Sequence, residues 1–297
     1  PDIGRAGLFL GWCYNAYYSS YMMTDGVEKA RSRGMKVIIV DPRVTPAVEK
    51  QCDLHLRVRP GTDGALALSL GRELIEIGGI DCEYIREHVH GFEEYRAYAA
   101  AFTPERAEEL TGVPAEKIRL AARMIRDNGP LAINQASAAL THHTNGLQNY
   151  RAVMALSALT GSYDRPGGQI PVPLTYAHSM AGFETHDHDF PAEVYPVGQP
   201  RPVGARRFPL WDEVVGEMQG NDLARQILTS DPYPVRALWA HGLNYRMFNG
   251  DRELEKALRS LDFYVDIDLF LTDSAKLADI VLPCCSSFER SEFKVYP

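Results

Sequence analysis

The sequence predicts an α/β protein built from two related lobes with parallel sheets. Short apolar segments rich in β-branched residues alternate with amphipathic segments of helical period along most of the chain. The order strand, helix, strand and strand occurs near both ends. With 45% hydrophobic residues in 297 positions, the chain is long and apolar enough to bury one large core or two medium ones.

The first lobe begins with "GLFLGWCYN", an apolar segment that predicts a strand ending before Asn15. A helix is expected over "YMMTDGVEKARSRG", and "MKVIIVDPR" predicts a buried strand that Pro42 ends. The alternating "CDLHLRVRPGTD" predicts a third strand, followed by a helix over "GALALSLGRELIEIGG". Residues 81 to 128 indicate mostly helix, before a strand over "PLAINQAS" and a helix over "NGLQNYRAVMALSALTG".

The second lobe follows an irregular stretch. Residues 163 to 211 are rich in Pro, Gly, His and Tyr without periodicity, which favours a functional loop or a lid. Beyond them "RALWAHGLN" and "DFYVDIDLF" predict strands around a helix over "DRELEKALRSL". A short helix over "TDSAKLAD" and a strand over "IVLPCC" complete the pattern. We therefore expect a first lobe at 1–168, an irregular region at 169–210 and a second lobe at 211–297.

Polar residues repeat in register between the lobes. Asn15 follows the first strand and Asp41 ends the second, 26 positions later, whereas Asn244 and Asp268 are 24 positions apart. The next acid in the strand that follows is Asp53 in the first lobe, 12 positions after Asp41, and Asp279 in the second lobe, 11 positions after Asp268. We interpret this as two Rossmann-like three-layer lobes, each placing an Asn and an Asp at the carboxyl edge of its sheet, where such sheets bind ligands. Two similar ligands, or one ligand bound twice, would fit.

An Asp that ends a second strand is typical of nucleotide recognition, because its carboxylate accepts hydrogen bonds from a ribose diol or a guanine. Asp41 fits this role in "VDPR", with Arg43 placed to meet a phosphate. "PGTD" adds a helix start whose free amides, with the Thr62 hydroxyl, suit a ribose or phosphate. A strand-ending turn and a plain helix cap are the alternatives. Neither lobe has G-x-G-x-x-G after its first strand, which argues against an ordinary NAD site.

Composition and charge exclude several classes of protein. A net charge of −8 disfavours a general nucleic-acid binder. Five cysteines without C-x-x-C disfavour a disulfide framework, a zinc ribbon or an iron–sulfur cluster in this segment. "THHTNG" and "ETHDHD" contain metal-ligand residue types, but alternation in a loop without preorganisation favours solvated or substrate-binding groups, and we expect no dedicated metal site.

The order of these segments resembles the molybdopterin oxidoreductases of the dimethyl sulfoxide reductase type, which include formate dehydrogenases and nitrate reductases. The resemblance covers nearly all of the chain except about 171–235. The matching stretches are "GWCYN", "KVIIVDPRVTPAVEKQCDLHLRVRPGTDGALALSL", "FTPERAEELTGVPAEKIRLAARMI", "THHTNGLQNYRAVMALSALTGSYDRPGG", "ALWAHGLNYRMF" and "DFYVDIDLFLTDSAKLADIVLPCCSSFER".

The resemblance implies a molybdenum or tungsten ion held between two molybdopterin guanine dinucleotides, related by a pseudo-twofold axis that matches the repeated lobes. Ala138 and His142 depart from the Met and Gln that the family often has there, and Tyr245 stands where Pro is usual. The implied cofactor contacts are Gly11, Asn15, Tyr18, Asp41, Pro42, Arg43, Gly61, Thr62, Asp63, Ala138, His142, Asn244, Ile267, Asp268 and Arg290.

The resemblance also implies parts that lie outside this chain: the cysteines of an N-terminal 4Fe–4S cluster, the Ser, Cys or selenocysteine metal ligand, and a C-terminal capping domain. By analogy the second lobe is incomplete and exposes apolar surface. We therefore expect a central fragment, inactive and cofactor-free by itself, for which a second copy of the chain is a candidate partner.

The expected function is that of the cofactor-cradling part of a molybdenum or tungsten enzyme of anaerobic metabolism, which performs two-electron redox or oxygen-atom transfer. Iron–sulfur or membrane-anchor electron-transfer subunits are candidate partners, and His178, Glu184 and His186 are candidates for contact with a small-molecule substrate. Two alternatives stay open. One is a metal-free structural subunit of an electron-transfer complex, and the other is an unrelated nucleotide-dependent dehydrogenase.

Overall fold

The computed structural model describes residues 1–171, 200–215 and 217–291. The chain divides into two compact units, Pro1–Pro173 and Leu174–Pro297. Each unit contains a parallel sheet whose strands alternate with helices along the chain. This confirms the predicted α/β class with two lobes and parallel sheets.

The first unit is built on a four-stranded sheet in the order β3-β2-β1-β4. Every strand pair is parallel, and β1 lies at the centre with Leu8 paired to both Lys36 and Leu131. All five residues of β1 are buried, as expected for a central strand with helices on both faces. The strands are β1 (Leu8–Trp12), β2 (Lys36–Val40), β3 (Leu54–Leu56) and β4 (Leu131–Gln135).

Helices cover both faces of this sheet. Alternate residues of β1 enter different cores, since successive side chains of a strand point to opposite faces. Leu10 packs in a cluster with Leu70 and Ile118, whereas Phe9 packs with Val27. The helices are α1 (Ala16–Ser19), α2 (Tyr21–Arg31), α3 (Pro46–Gln51), α4 (Asp63–Glu76), α5 (Cys82–His88), α6 (Phe92–Ala99), α7 (Pro104–Thr111), α8 (Ala115–Asp127), α9 (Ser137–Thr141) and α10 (Gly146–Leu159).

The second unit contains a three-stranded parallel sheet in the order β5-β6-β7. Its described core joins Tyr264 and Leu238 of the sheet to Leu223 and Leu254 of two helices. Trp239, on the other side of its strand, is 66% exposed. The elements are α11 (Pro209–Val215), α12 (Leu223–Thr229), β5 (Ala237–His241), α13 (Asp251–Arg259), β6 (Phe263–Asp268) and β7 (Ile280–Pro283).

The two units repeat the same hydrogen bonds at matching places. In the first, the carboxylate of Asp53 accepts the N–H of Val37 at 2.8 Å, and the N–H of Asp53 donates to the carbonyl of Val37 at 2.8 Å. In the second, Asp279 and Tyr264 form the same reciprocal pair, both bonds at 2.8 Å. These are the acids whose spacing repeats in the sequence, so the lobes are related in detail.

The structure differs from the sequence prediction in a few elements. "TDSAKLAD" forms a 3-10 turn at Ala275–Leu277 rather than a regular helix. Helices α11 and α12 were not predicted, because each spans only seven residues and shows little periodicity. His178, Glu184 and His186 lie outside the described residues. Among the described helices, none is both long enough and apolar enough to cross a bilayer.

Candidate functional site

The carboxyl ends of the first unit's strands bring the predicted site residues to one edge. Strand β2 lies on one side of β1 and β4 on the other, so the connections that leave β1 and β4 diverge. Open α/β sheets bind ligands in the crevice outside such a switch point. Asn15 follows β1, Asp41 follows β2, and Gln135 ends β4.

Asp41 is held by the turn that follows β2. Its carboxylate is buried and accepts the N–H of Arg43 at 2.8 Å, while its carbonyl accepts a hydrogen bond from His55 Nε2 at 2.9 Å. The Arg43 guanidinium lies 3.7 Å from the carboxylate and is 70% exposed. The turn thus fixes the acid in place and leaves the cation on the surface, where an anionic group can reach it.

Asp63 lies at the start of α4 and is almost fully buried, at 2% exposure. Its Oδ1 accepts the indole N–H of Trp12 at 2.8 Å, which ties the end of β1 to this helix. Cys13, the residue after Trp12, adopts a left-handed backbone with φ of 55°. Burial, with the nearby carboxylates of Asp63 and Asp41, raises the pKa of the Cys13 thiol to about 12. The thiol is therefore protonated at neutral pH and is a poor nucleophile or metal ligand.

Two buried amide oxygens at this edge lack hydrogen-bond partners among the described residues. They are Oδ1 of Asn15 and Oε1 of Gln135, at the ends of the neighbouring strands β1 and β4. An unsatisfied buried acceptor costs about 1–3 kcal/mol. A ligand with N–H or O–H donors would satisfy both oxygens. Gln135 was not predicted as a site residue, because its place beside β1 depends on the strand order.

The helix start at "PGTD" has fewer free hydrogen-bond donors than the sequence predicts. The Thr62 hydroxyl donates to the carbonyl of Arg59 at 2.7 Å, and the N–H of Gly64 donates to Oδ1 of Asn149 at 3.0 Å. The Thr62 oxygen can still accept a hydrogen bond, but these two donors are already used. Gly61 has φ of 85°, a left-handed conformation that suits glycine.

The other predicted residues of the first unit divide by exposure. Gly11 is buried within β1, where an added Cβ would lie 2.7 Å from Cβ of Tyr14, so packing requires the glycine. Tyr18 is 76% exposed on α1. Ala138 and His142 are exposed at either end of α9, with the His142 N–H donating to the Ala138 carbonyl at 3.0 Å. These exposed groups can contact a ligand at the strand edge.

The second unit arranges its Asn and Asp in a similar way. Oδ1 of Asn244 accepts the N–H of Arg246 at 3.2 Å. Oδ1 of Asp268 accepts the N–H of Leu269 at 2.6 Å and also, as in Asp41, the N–H of the residue two positions on, Phe270, at 3.3 Å. The carbonyl of Ile267 accepts the Gly242 N–H at 2.8 Å. Arg290 and Pro42 complete the predicted set, the first exposed and the second half-buried.

Asp266 is a buried acid that the sequence analysis missed. It lies in β6 at 0% exposure, and neither carboxylate oxygen has a hydrogen-bond partner among the described residues. Burial raises its pKa above the usual range for an aspartate. Within residues 1–171, 200–215 and 217–291, no group of three His, Cys, Asp or Glu side chains is arranged to hold a metal ion.

Comparison with known proteins decides the family. The family model described as molybdopterin oxidoreductase matches residues 2–296. The chain belongs to this family. The resemblance predicted from the sequence motifs is thereby confirmed.

Relatives within the family carry different names. The F420-dependent formate dehydrogenase 2 subunit alpha of Methanococcus maripaludis is 31% identical over 291 residues, covering 97% of this chain and 42% of the relative. Formate dehydrogenase H of Escherichia coli is 28% identical, covering 96% of this chain and 40% of the relative. The structure of acetylene hydratase from Pelobacter acetylenicus matches with a TM-score of 0.74 and 26% identity, covering 95% of this chain and 41% of that one.

The chain thus spans about two fifths of the length of the relatives it matches. Their names indicate both dehydrogenase and hydratase reactions. Family membership therefore indicates a molybdopterin cofactor and leaves the reaction and the substrate to be inferred.

Proposed function

We propose that this chain is the cofactor-cradling part of a molybdenum or tungsten oxidoreductase and contacts two molybdopterin guanine dinucleotides, one at each sheet edge. The observation that carries the proposal is the repeated pair of edges. Each has an Asn after its first strand and, at the end of the second, an Asp whose carboxylate accepts the N–H two residues further on. Two matching edges suit two copies of one ligand.

In the first lobe, Asn15 and Gln135 offer buried oxygens that lack donors among the described residues. The pterin and guanine rings of the cofactor carry N–H groups that would meet this need, so these residues fit the group. Asp41, fixed by its turn, would accept from the guanosine end, and the exposed Arg43 would meet a phosphate. The protonated Cys13 thiol adds no charge that would oppose an anionic ligand.

In the second lobe, Asn244, Ile267 and Asp268 would hold the other dinucleotide, with Arg290 as a further contact. When bound, the cofactor supplies a metal that exchanges two electrons or an oxygen atom with a substrate. The residues of this chain bind and orient it, and the irregular region at 169–210, with His178, Glu184 and His186, is proposed to face the substrate.

We further propose that the whole protein passes electrons through a 4Fe–4S cluster to other subunits. The name of one relative, subunit alpha of a formate dehydrogenase, supports an assembly of several chains. Dehydrogenase names among the relatives favour two-electron redox over hydration.

The test is made on the full-length protein, purified anaerobically from cells that synthesise the cofactor. Molybdenum, tungsten and iron are measured by mass spectrometry, and guanine nucleotide is quantified after acid release. We expect about two guanine nucleotides per metal atom, with iron present.

Asp41→Ala and Asp268→Ala should each lower the guanine released per protein chain. Asp25→Ala, which changes an exposed acid on α2, should not, and serves as the control. Metal-free protein with no guanine nucleotide would refute the proposal and favour a structural subunit. Tight NAD binding to such protein would favour the unrelated dehydrogenase.

A further inference from the structure

A short segment of the second unit bonds to both turns that carry the proposed site residues of that unit. This segment, residues 272–274, follows β6. The Thr272 hydroxyl donates to Oδ2 of Asp268 at 3.4 Å. Ser274 Oγ accepts the backbone N–H of Tyr245, beyond the end of β5, at 3.0 Å. The segment therefore connects the ends of β5 and β6, although 29 positions separate Ser274 from Tyr245.

The bond between Ser274 and Tyr245 is buried. Ser274 is 1% exposed and Tyr245 is 3% exposed. Tyr245 begins a 3-10 turn at Tyr245–Met247, so its N–H has no acceptor within that turn. Ser274 Oγ supplies the acceptor, and a buried N–H left unpaired at this place would be costly. The start of the turn is thus fixed by a side chain from the connection that follows the neighbouring strand.

An ion pair at the surface links the same two connections. Arg246 Nε donates to Oδ2 of Asp273 at 2.8 Å, and about half of each side chain is exposed. Lys276 Nζ also lies 3.3 Å from Asp273. The guanidinium carbon of Arg246 lies 5.1 Å from the centroid of the Tyr245 ring. Exposed pairs contribute little to stability, but this pair restricts the residue whose N–H bonds to Asn244.

The orientation of the Asn244 amide follows from these contacts. Its Oδ1 accepts the N–H of Arg246 at 3.2 Å, so this oxygen is used within the turn. Asn244 is exposed, and its amide offers the Nδ2 donors to a ligand. Asn15, the matching residue of the first unit, makes no side-chain bond to the helix that follows it, and its buried Oδ1 lacks a partner among the described residues. The second edge therefore presents a donor where the first presents an acceptor.

We propose that Ser274 is a positioning residue for the second cofactor edge. Its buried bond to Tyr245 fixes the turn from which Asn244 donates to the bound dinucleotide, and the pair of Arg246 with Asp273 supports the same turn from the surface. The ligand atoms that suit this donor are acceptors, such as the oxygens of a phosphate or of a ring carbonyl. Because the ligand is the dinucleotide of the proposed function, this inference rests on that function.

The first test measures backbone hydrogen exchange in full-length protein from cells that do not synthesise the cofactor. Ser274→Ala removes the acceptor of the Tyr245 N–H. We expect the amides of residues 244–248 to exchange at least about tenfold faster than in the wild type, because the bond that protects the turn is lost. Ser260→Ala removes a hydroxyl that bonds to the Ala257 carbonyl at 2.8 Å and lies before β6, so it should leave this exchange unchanged. Unchanged exchange in Ser274→Ala overturns the proposal.

The second test quantifies guanine nucleotide per chain after acid release from full-length protein purified from cells that synthesise the cofactor. Ser274→Ala should lose at least about half of the guanine that the wild type carries, because one of the two edges is no longer preorganised. Ser260→Ala should carry the wild-type amount. Equal guanine content in wild type and Ser274→Ala overturns this proposal and leaves the proposed function in place. Wild-type protein without guanine nucleotide overturns both.

Ile227→Val separates positioning from a general loss of stability. It removes a methyl group from the core of the second unit and no hydrogen bond. We expect both Ile227→Val and Ser274→Ala to lower the melting temperature, and only Ser274→Ala to lower the guanine content per folded chain. Guanine loss in proportion to the fall in melting temperature in both variants would show a merely structural role and overturn the proposal.

Arg246→Gln tests the same turn from the surface. The Arg246 side chain is more than half exposed, so this variant is expected to fold even if Ser274→Ala does not. It breaks the ion pair with Asp273 and should lower the guanine content, whereas Arg252→Gln, which changes an exposed arginine on α13, should not. Where Ser274→Ala does not fold, wild-type guanine content in Arg246→Gln overturns the proposal.

Discussion

The bond between Trp12 and Asp63 allows a quantitative test of how the strand edge is held. Trp12 Nε1 donates to Asp63 Oδ1 at 2.8 Å, and both residues are buried, at 0% and 2% exposure. Asp63→Ala removes the acceptor and leaves the indole N–H without a partner in the core. Asp63→Asn removes the charge but keeps an acceptor of the same size.

The magnitude follows from the loss of one buried, charge-assisted hydrogen bond. Such a bond contributes about 1.5–3 kcal/mol to the free energy of unfolding. This range already includes most of the cost of leaving the Trp12 N–H unpaired, so the two are not added. Asp63 also lies in the first turn of α4, where a negative charge adds roughly 0.3–1 kcal/mol. We therefore expect Asp63→Ala to lower the free energy of unfolding of the first unit by about 2–4 kcal/mol, and Asp63→Asn by about 1 kcal/mol.

The assay must report on the first unit alone. The chain has three tryptophans, and Trp211 and Trp239 belong to the second unit, where both are exposed. In a Trp211→Phe, Trp239→Phe background, Trp12 fluorescence follows the unfolding of the first unit in urea. Because a neighbouring charge contributes to the raised pKa of Cys13, Asp63→Asn should also lower that pKa, measured from the pH dependence of thiol alkylation.

The control is Asp25→Ala, which removes an exposed acid paired with Lys29 one helical turn away. It should cost less than about 0.5 kcal/mol, as surface pairs do. If Asp63→Ala costs no more than this control, the bond does not hold the strand edge. An unchanged Cys13 pKa in Asp63→Asn would contradict the electrostatic part of the reasoning.

Three further predictions concern packing and titration. Gly71→Ala should destabilise the first unit by about 1–3 kcal/mol in urea unfolding, because its Cβ would overlap the Tyr95 hydroxyl, whereas Gly26→Ala, in open space on α2, should stabilise it by about 0.5–1 kcal/mol. Asp266→Asn should raise the melting temperature at pH 7 but not at pH 3. Burial raises the pKa of Asp266 in the folded protein, so its ionisation destabilises the fold as the pH rises through that folded-state pKa. An equal change in melting temperature at pH 3 and pH 7 would contradict this. Cys13 should resist alkylation at pH 8 in native protein while exposed cysteines react, and rapid modification would refute the protonated, buried thiol.

The sequence by itself determined the elements and their repetition. Apolar residues at strand and helix periods are local properties, and they predicted the strands of both sheets and the helices around them. The recurrence of Asn and Asp at similar spacing reflects a repeated backbone, and the reciprocal bonds of Asp53 and Asp279 bear this out. Short helices such as α12 escaped prediction, since seven residues carry too little periodicity to distinguish a helix from a turn.

Only the tertiary structure decided which polar groups at the carboxyl edge of the sheet form hydrogen bonds and which described ones lack a partner. Gly64 and Asn149 are 85 positions apart, and Trp12 and Asp63 are 51 apart, so no local pattern predicts either bond. The place of Gln135 beside Trp12, at the edge where β1 ends, depends on the strand order β3-β2-β1-β4, which follows from how the helices pack on the two faces. Residue types at strand ends are local and can be predicted, whereas hydrogen-bond satisfaction depends on contacts between distant segments and appears only once the chain is folded.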